Sequence, residues 1–308
     1  MRTAFLLVLG SLLGLACGDD DTPADAGVSR DSGARDAGPE DAGGEPDAFV
    51  PDLGIDMGPP GSVGCVSGGG LDEGEHTFAL DGEDRRYLLY LPEGYSSDRP
   101  WPLVFALHGN GGSVDYWNAT SGDRNVRGEL AEGAILVIAE AIDNAWRDYD
   151  MPADSWPARI ELELAYFDYV LEEMTTELCV DEEAIFSMGF SGGGSFSGVL
   201  GCRREYIRAI AVGGSVIYFE PDDCVGTPAA WITIGTEELA AGREAYRDFF
   251  RDRAGCDPET TATDPDPCVA YANCDPATPV HYCQHPAGHI WPDFGTEAAW
   301  AFFQRFID

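Results

Sequence analysis

Gly189-Phe190-Ser191-Gly192-Gly193 is the stretch of this 308-residue chain whose residue types and spacing suit covalent chemistry. A serine hydroxyl at its ordinary acidity is a weak nucleophile, so a sharp turn must push it out toward a base. Ala184-Ile185-Phe186-Ser187, of strand character, enters the segment, and a Gly/Ser-rich run able to open a helix leaves it. Glycine at 189 and 193 leaves room for such a turn, because a Cβ at either position would crowd strained backbone. The segment reads as a nucleophile elbow with Ser191 as the nucleophile.

An elbow serine needs an acid and then a histidine later in the chain, each on a loop at the carboxyl end of a strand. Three histidines follow Ser191: His281, His285 and His289. His289, in Pro286-Ala287-Gly288-His289-Ile290-Trp291-Pro292, falls between the last predicted strand and the last predicted helix, where a general base belongs. His281 is expected to pack within that strand, and His285 is the second choice of base. His281, Cys283 and His285 alternate onto one strand face, a pattern a metal could use. A cysteine of an exported protein is expected in a disulfide instead, so neither metal nor cofactor is predicted.

For the acid, Ile232-Thr233-Ile234-Gly235-Thr236-Glu237-Glu238 places a carboxylate directly after a strand, and Glu238 would hold the imidazole tautomer and stabilise the imidazolium. Glutamates also occur as solvated residues in the first turn of a helix, which keeps Asp248 and Asp264 as alternative acids. The oxyanion of a tetrahedral intermediate needs two N–H donors. Gly192 would supply one, and the loop His108-Gly109-Asn110-Gly111-Gly112 the other, through Asn110.

The elements that must position these residues alternate. Runs at His76–Leu80 and Arg86–Leu91, separated by Asp81-Gly82-Glu83-Asp84, predict an opening hairpin. Leu103–Leu107 and Ile135–Ala139 are continuous apolar runs, suited to strands buried on both faces. A polar helical segment is expected over 115–132 between them. Ala158–Leu178 carries Ile160, Leu164, Phe167, Val170, Leu171 and Met174 near helical spacing. Strands at Ile207–Val212, Trp231–Ile234 and Val280–Cys283 and helices at Arg243–Arg253 and Glu297–Ile307 complete an α/β pattern, a mostly parallel sheet with helices on both faces.

Residues 1–17 combine Arg2, an apolar run and a small residue before Cys17, which is a secretory signal too short to span a membrane. Leu13-Gly14-Leu15-Ala16-Cys17 resembles a bacterial lipobox, with Gly14 where leucine is commonest, and implies acylation of Cys17. Residues 18–62, rich in Asp, Ala, Gly and Pro, have little to bury and are expected to form a disordered tether to a single catalytic domain at 63–308. The net charge of −37 argues against nucleic acid and anionic membrane surfaces as partners, leaving a lipid on Cys17 as the membrane contact. All 18 basic residues are arginine, so Schiff-base chemistry, pyridoxal phosphate anchoring, Ser-Lys dyads and the P-loop lysine are excluded. Eight cysteines besides Cys17 predict up to four disulfides, with Cys256, Cys268 and Cys274 in a stapled loop.

From Arg86 onward the chain resembles the secreted esterase family that includes polyhydroxybutyrate depolymerases and feruloyl esterases. The resemblance rests on Tyr87-Leu88-Leu89-Tyr90-Leu91-Pro92-Glu93-Gly94-Tyr95, Pro102-Leu103-Val104 leading to Leu107-His108-Gly109, Val180-Asp181, the elbow, Gly235-Thr236-Glu237-Glu238 and Gly288-His289-Ile290-Trp291-Pro292, in family order. It implies an α/β-hydrolase fold and an exported serine esterase acting through an acyl-enzyme, on hydroxyalkanoate polyesters or on aromatic acyl esters of plant polysaccharide. The family usually has Asp where Glu238 stands, followed by a Val-Pro absent here. The alternative is an inactive, surface-tethered binding domain that keeps the fold. Trp146, Trp156 and Trp291 either line the cleft or pack in the core.

Overall fold

A computed structural model describes residues 61–148 and 156–307, which belong to one compact unit. The expected signal sequence, Cys17 and nearly all of the expected tether lie outside the described residues. The last two tether positions are inside: Gly61 bridges Asp181, and buried Ser62 exchanges hydrogen bonds with Leu178 and Val180.

The hairpin of β1 (Gly74–Leu80) and β2 (Glu83–Tyr90) opens the sheet. It is followed by β3 (Trp101–Leu107), β4 (Ile135–Ala139), β5 (Val180–Phe190), β6 (Ala209–Gly213), β7 (Ala229–Gly235), β8 (Asp257–Ala262), β9 (Cys268–Ala272) and β10 (Val280–His285). All ten strands form one sheet in the order β1-β2-β4-β3-β5-β6-β7-β10-β9-β8. The central strands β4, β3, β5, β6, β7 and β10 are parallel and the flanking pairs antiparallel.

The apolar runs form strands because both of their faces are covered. In β3, Leu103, Phe105 and Leu107 point into one core with Leu164, Phe167, Phe196, Tyr246 and Phe250. Val104 and Ala106 point into the other, with Val126, Ala298, Trp300 and Phe303. The first core lies under α3 (Trp156–Glu177), α4 (Gly192–Arg203) and α5 (Ala241–Arg253), and the second under the short α2 (Val126–Glu129) and α6 (Gly295–Phe303). A further short helix, α1 (Gly64–Ser67), precedes the sheet.

Two expectations are corrected. The helix over 115–132 is only a single turn at Val114–Tyr116 plus α2, because side chains of Ser113 and Asn125 cap each turn locally and Gly122 adopts a positive φ of 76° between them. The stapled loop is the hairpin β8–β9, which extends the sheet edge. Its β8 is exposed along its whole length, so it has no apolar alternation to betray a strand.

Four disulfides pair all eight cysteines in the described residues: Cys65–Cys179, Cys202–Cys224, Cys256–Cys274 and Cys268–Cys283. Cys256–Cys274 closes the base of the β8–β9 hairpin, and Cys268–Cys283 ties it to β10.

Candidate active site

Ser191 stands between β5, at the centre of the sheet, and α4, with φ 55° and ψ −118°. A side chain bearing a Cβ rarely adopts such a backbone, and it persists where its surroundings over-determine it. The Ser191 N–H donates to Gly213 O at 2.7 Å across to β6. A Cβ on Gly189 would lie 2.4 Å from the Gly193 carbonyl carbon, and one on Gly193 would lie 2.2 Å from Leu107 O. The two glycines therefore let α4 start directly above the ends of β3 and β5.

His289 lies on the loop after β10. Its Nε2 is 2.8 Å from Ser191 Oγ, and its Nδ1 contacts Glu238 Oε2. Glu238 closes the single helical turn Thr236–Glu238 that follows β7, and its Oε1 accepts from Gly235 N–H at 3.1 Å. Burial raises the Glu238 carboxyl, but the hydrogen bonds from His289 and Gly235 and the charges of His289 and Arg243 outweigh it and hold the group below the ordinary carboxylate range. Gly214, at φ 61°, underlies the pair; a Cβ there would come within 2.6 Å of His289 Cε1. The Phe190 ring lies 4.6 Å from the imidazole. Serine, imidazole and carboxylate thus form a continuous chain of contacts through the two ring nitrogens.

Gly192 is the first residue of α4, so its N–H is one of those a helix leaves without an intrahelical acceptor. Asn110 packs directly over it: a Cβ on Gly192 would lie 2.2 Å from Asn110 Oδ1. The Asn110 amide is held on both ends, donating to Tyr218 Oη at 3.2 Å and accepting from Trp146 N–H at 3.3 Å. Beneath this loop, buried His108 accepts from Ala141 N–H at Nε2 and donates from Nδ1 to Gly109 O. Burial lowers its proton affinity below the usual imidazole value, in keeping with that neutral form. Trp117 and Trp146 donate to the carbonyls of Leu107 and His108 at 2.8 and 2.7 Å, fixing the end of β3.

No family model matches the chain. Feruloyl esterase D of Neurospora crassa is 27% identical over 278 residues, spanning 80% of this chain and 90% of that protein. Feruloyl esterase C of Emericella nidulans is 28% identical, spanning 82% and 87%. An S-formylglutathione hydrolase of Staphylococcus aureus superposes with a TM-score of 0.55 at 11% identity, over 77% of this chain and 99% of that one. A ferulic acid esterase of Anaeromyces mucronatus, solved with ferulic acid, gives 0.52 at 15%, over 76% and 89%. In fold the chain is an α/β-hydrolase, and in sequence it is feruloyl esterase-like. The structural likenesses, at such low identity, speak for the fold alone; the likeness to feruloyl esterases rests on their sequences, aligned across nearly their whole length.

The other residues considered from sequence lie elsewhere in this α/β-hydrolase. His281 is buried edge-on against Phe302, and burial together with the Arg305 charge pushes it down to about 4. His285 is buried at the end of β10, in register with Gly235, and Cys283 beside it is committed to Cys268. Asp248 is paired with Arg247 and Arg251 along α5, and Asp264 lies in the turn between β8 and β9. Trp146 and Trp291 are core residues, whereas half-buried Trp156 borders a cleft of about 230 Å³ with Tyr218 and Phe219. Sequence reasoning missed Tyr218 and Arg243, which touch Asn110 and Glu238. It also missed Gly214, whose signal was the glycine pair directly after the strand ending at Val212.

Proposed function

We propose that this protein is an exported serine esterase that hydrolyses carboxylic esters through Ser191, His289 and Glu238, and that its acyl groups are hydroxycinnamates. The reading is carried by one observation: His289 bridges Ser191 Oγ, at 2.8 Å, and the Glu238 carboxylate. Ser191 Oγ adds to the ester carbonyl while His289 Nε2 takes its proton, and Glu238 keeps the other ring nitrogen protonated and balances the imidazolium. The N–H groups of Gly192 and Asn110 receive the oxyanion. Collapse expels the alcohol, which takes the proton from His289 and leaves acyl-Ser191. Water then repeats the sequence, releasing the acid and regenerating the serine.

The feruloyl esterase relatives support the aromatic acyl class over hydroxyalkanoate polyester. Four disulfides fit an oxidising compartment, in keeping with export through the residue 1–17 signal and acylation at Cys17. The test is hydrolysis of methyl ferulate, p-nitrophenyl butyrate and polyhydroxybutyrate film by the full chain. Wild type is expected to prefer the ferulate, and Ser191→Ala to lose about 10⁴-fold or more in kcat. Undiminished turnover by a folded Ser191→Ala variant removes Ser191 from the reaction.

A further inference from the structure

The acid of this site does not face the imidazole alone. Arg243, in the first turn of α5, brings Nε within 3.0 Å of Glu238 Oε2 and Nη2 within 3.3 Å of His289 Nδ1. Oε2 is the oxygen that contacts Nδ1, and Oε1 is already held by Gly235 N–H. Outside the histidine, Oε1 is therefore fixed by a hydrogen bond and Oε2 lies in an ion pair with Arg243, whose Nε makes no hydrogen bond. The Glu238 side chain is only 6% exposed and that of Arg243 23%, so solvent screens the contact weakly.

We infer that Arg243 is a positioning residue for the reaction: its charge holds the glutamate so that Oε2 meets His289. The inference rests on the triad reading above. Glutamate has one more rotatable bond than aspartate and would otherwise hold Oε2 less firmly toward the ring. The clamp also carries a tautomer requirement. If Nδ1 lost its proton, Arg243 Nη2 would donate to it and the proton would sit on Nε2, where it blocks proton abstraction from Ser191. Glu238 therefore has to outcompete the guanidinium for Nδ1, and it does so by presenting a negative oxygen to an N–H.

Other groups of the described residues lie near the imidazole. Glu237, exposed after β7, reaches toward Gly288; His285 is buried at the end of β10; Asp293 follows on the histidine's own loop; α4 contributes Ser191, and the segment after β6 contributes Gly214, which carries no charge. Among the described residues Arg243 is thus a cation placed against both partners.

The experiment is the measurement of kcat and KM for methyl ferulate or p-nitrophenyl butyrate with the full chain and its Arg243→Gln, Arg243→Lys and Glu238→Asp variants. Arg243→Gln is expected to lower kcat about tenfold with KM little changed. Arg243→Lys should recover part of that kcat, because it keeps the charge. In the Glu238→Asp background the shorter acid leaves the clamp, so Arg243→Gln should cost less than in wild type. A kcat within twofold of wild type in Arg243→Gln overturns the inference. The triad reading would still stand if Ser191→Ala abolishes turnover, and would fall if it does not.

Discussion

Glu163 on α3 provides a severe test of how the loop bearing Asn110 is held. Its side chain is fully buried, with Oε2 2.5 Å from Arg85 on β2 and Oε1 3.2 Å from Arg159 one helical turn away. Oε1 also accepts from Ile142 N–H at 3.0 Å, and Arg159 bonds the carbonyls of Ile142 and Ala145. Replacing Glu163 with alanine leaves Arg85, 2% exposed, without its anion, Arg159, 8% exposed, with Asp148 alone at 3.5 Å, and one amide without its acceptor. Breaking a buried pair costs about 3 to 5 kcal/mol, so about 4 kcal/mol is expected here. For a domain of this size, unfolding in urea has a slope of about 3 kcal/mol/M, which puts the fall in midpoint at about 1.3 M. Glu163→Gln keeps an acceptor for Ile142 and should lose less.

The cluster also bears on the chemistry, because the loop it anchors supplies Asn144 O to Gly111 N–H and Trp146 N–H to Asn110 Oδ1. The folded fraction of Glu163→Ala should therefore show reduced kcat even though Ser191 and His289 are untouched. Urea unfolding followed by circular dichroism, with kcat measured below the transition, checks both statements. A stability loss under about 1 kcal/mol with wild-type kcat would show that neither the fold nor the loop depends on this buried charge.

The stability of the protein should fall with acid through its histidines before its carboxylates titrate. Burial places His108, His281 and His285 below the unfolded value of about 6.5, His281 at about 4, so the unfolded chain binds more protons in between. Stability is then full above pH 6.5 and lost as pH falls toward 4, with up to about 3 kcal/mol from His281; a urea midpoint that stays constant over that range would contradict it. At the other end of the chain, wild-type protein expressed in a bacterial host should enter the detergent phase on Triton X-114 partition and Cys17→Ser protein the aqueous phase. Equal partition would remove the lipid anchor.

The parallel strands and long helices were legible because burial on both faces leaves a mark in the chain itself: Leu103–Leu107 is apolar throughout, and Ile160, Leu164 and Phe167 repeat at the helical period. The elbow was legible for a similar reason, since close approach of α4 to the end of β3 excludes a Cβ at Gly193 whatever the rest of the sequence does. The β8–β9 hairpin was not, because an exposed strand stabilised by its ladder and a disulfide needs no apolar face. The polar segment over 115–132 misled in the opposite sense, since its helix-compatible composition is spent on local caps.

For the site, the sequence determined the residue types available: one serine on an elbow, three later histidines, no lysine, and a carboxylate directly after a strand. Which of them meet was decided by the tertiary structure. His281, His285 and His289 lie within nine residues of one another, yet strand pairing buries the first two and leaves the third on a loop beside Ser191. Arg243, Tyr218 and Glu163 carry no signature at all in the chain. Their effects depend on short-range charge and hydrogen bonding, which fall off within a few ångströms, and only the packing of α5, α3 and the loop after β6 against the sheet brings them that close.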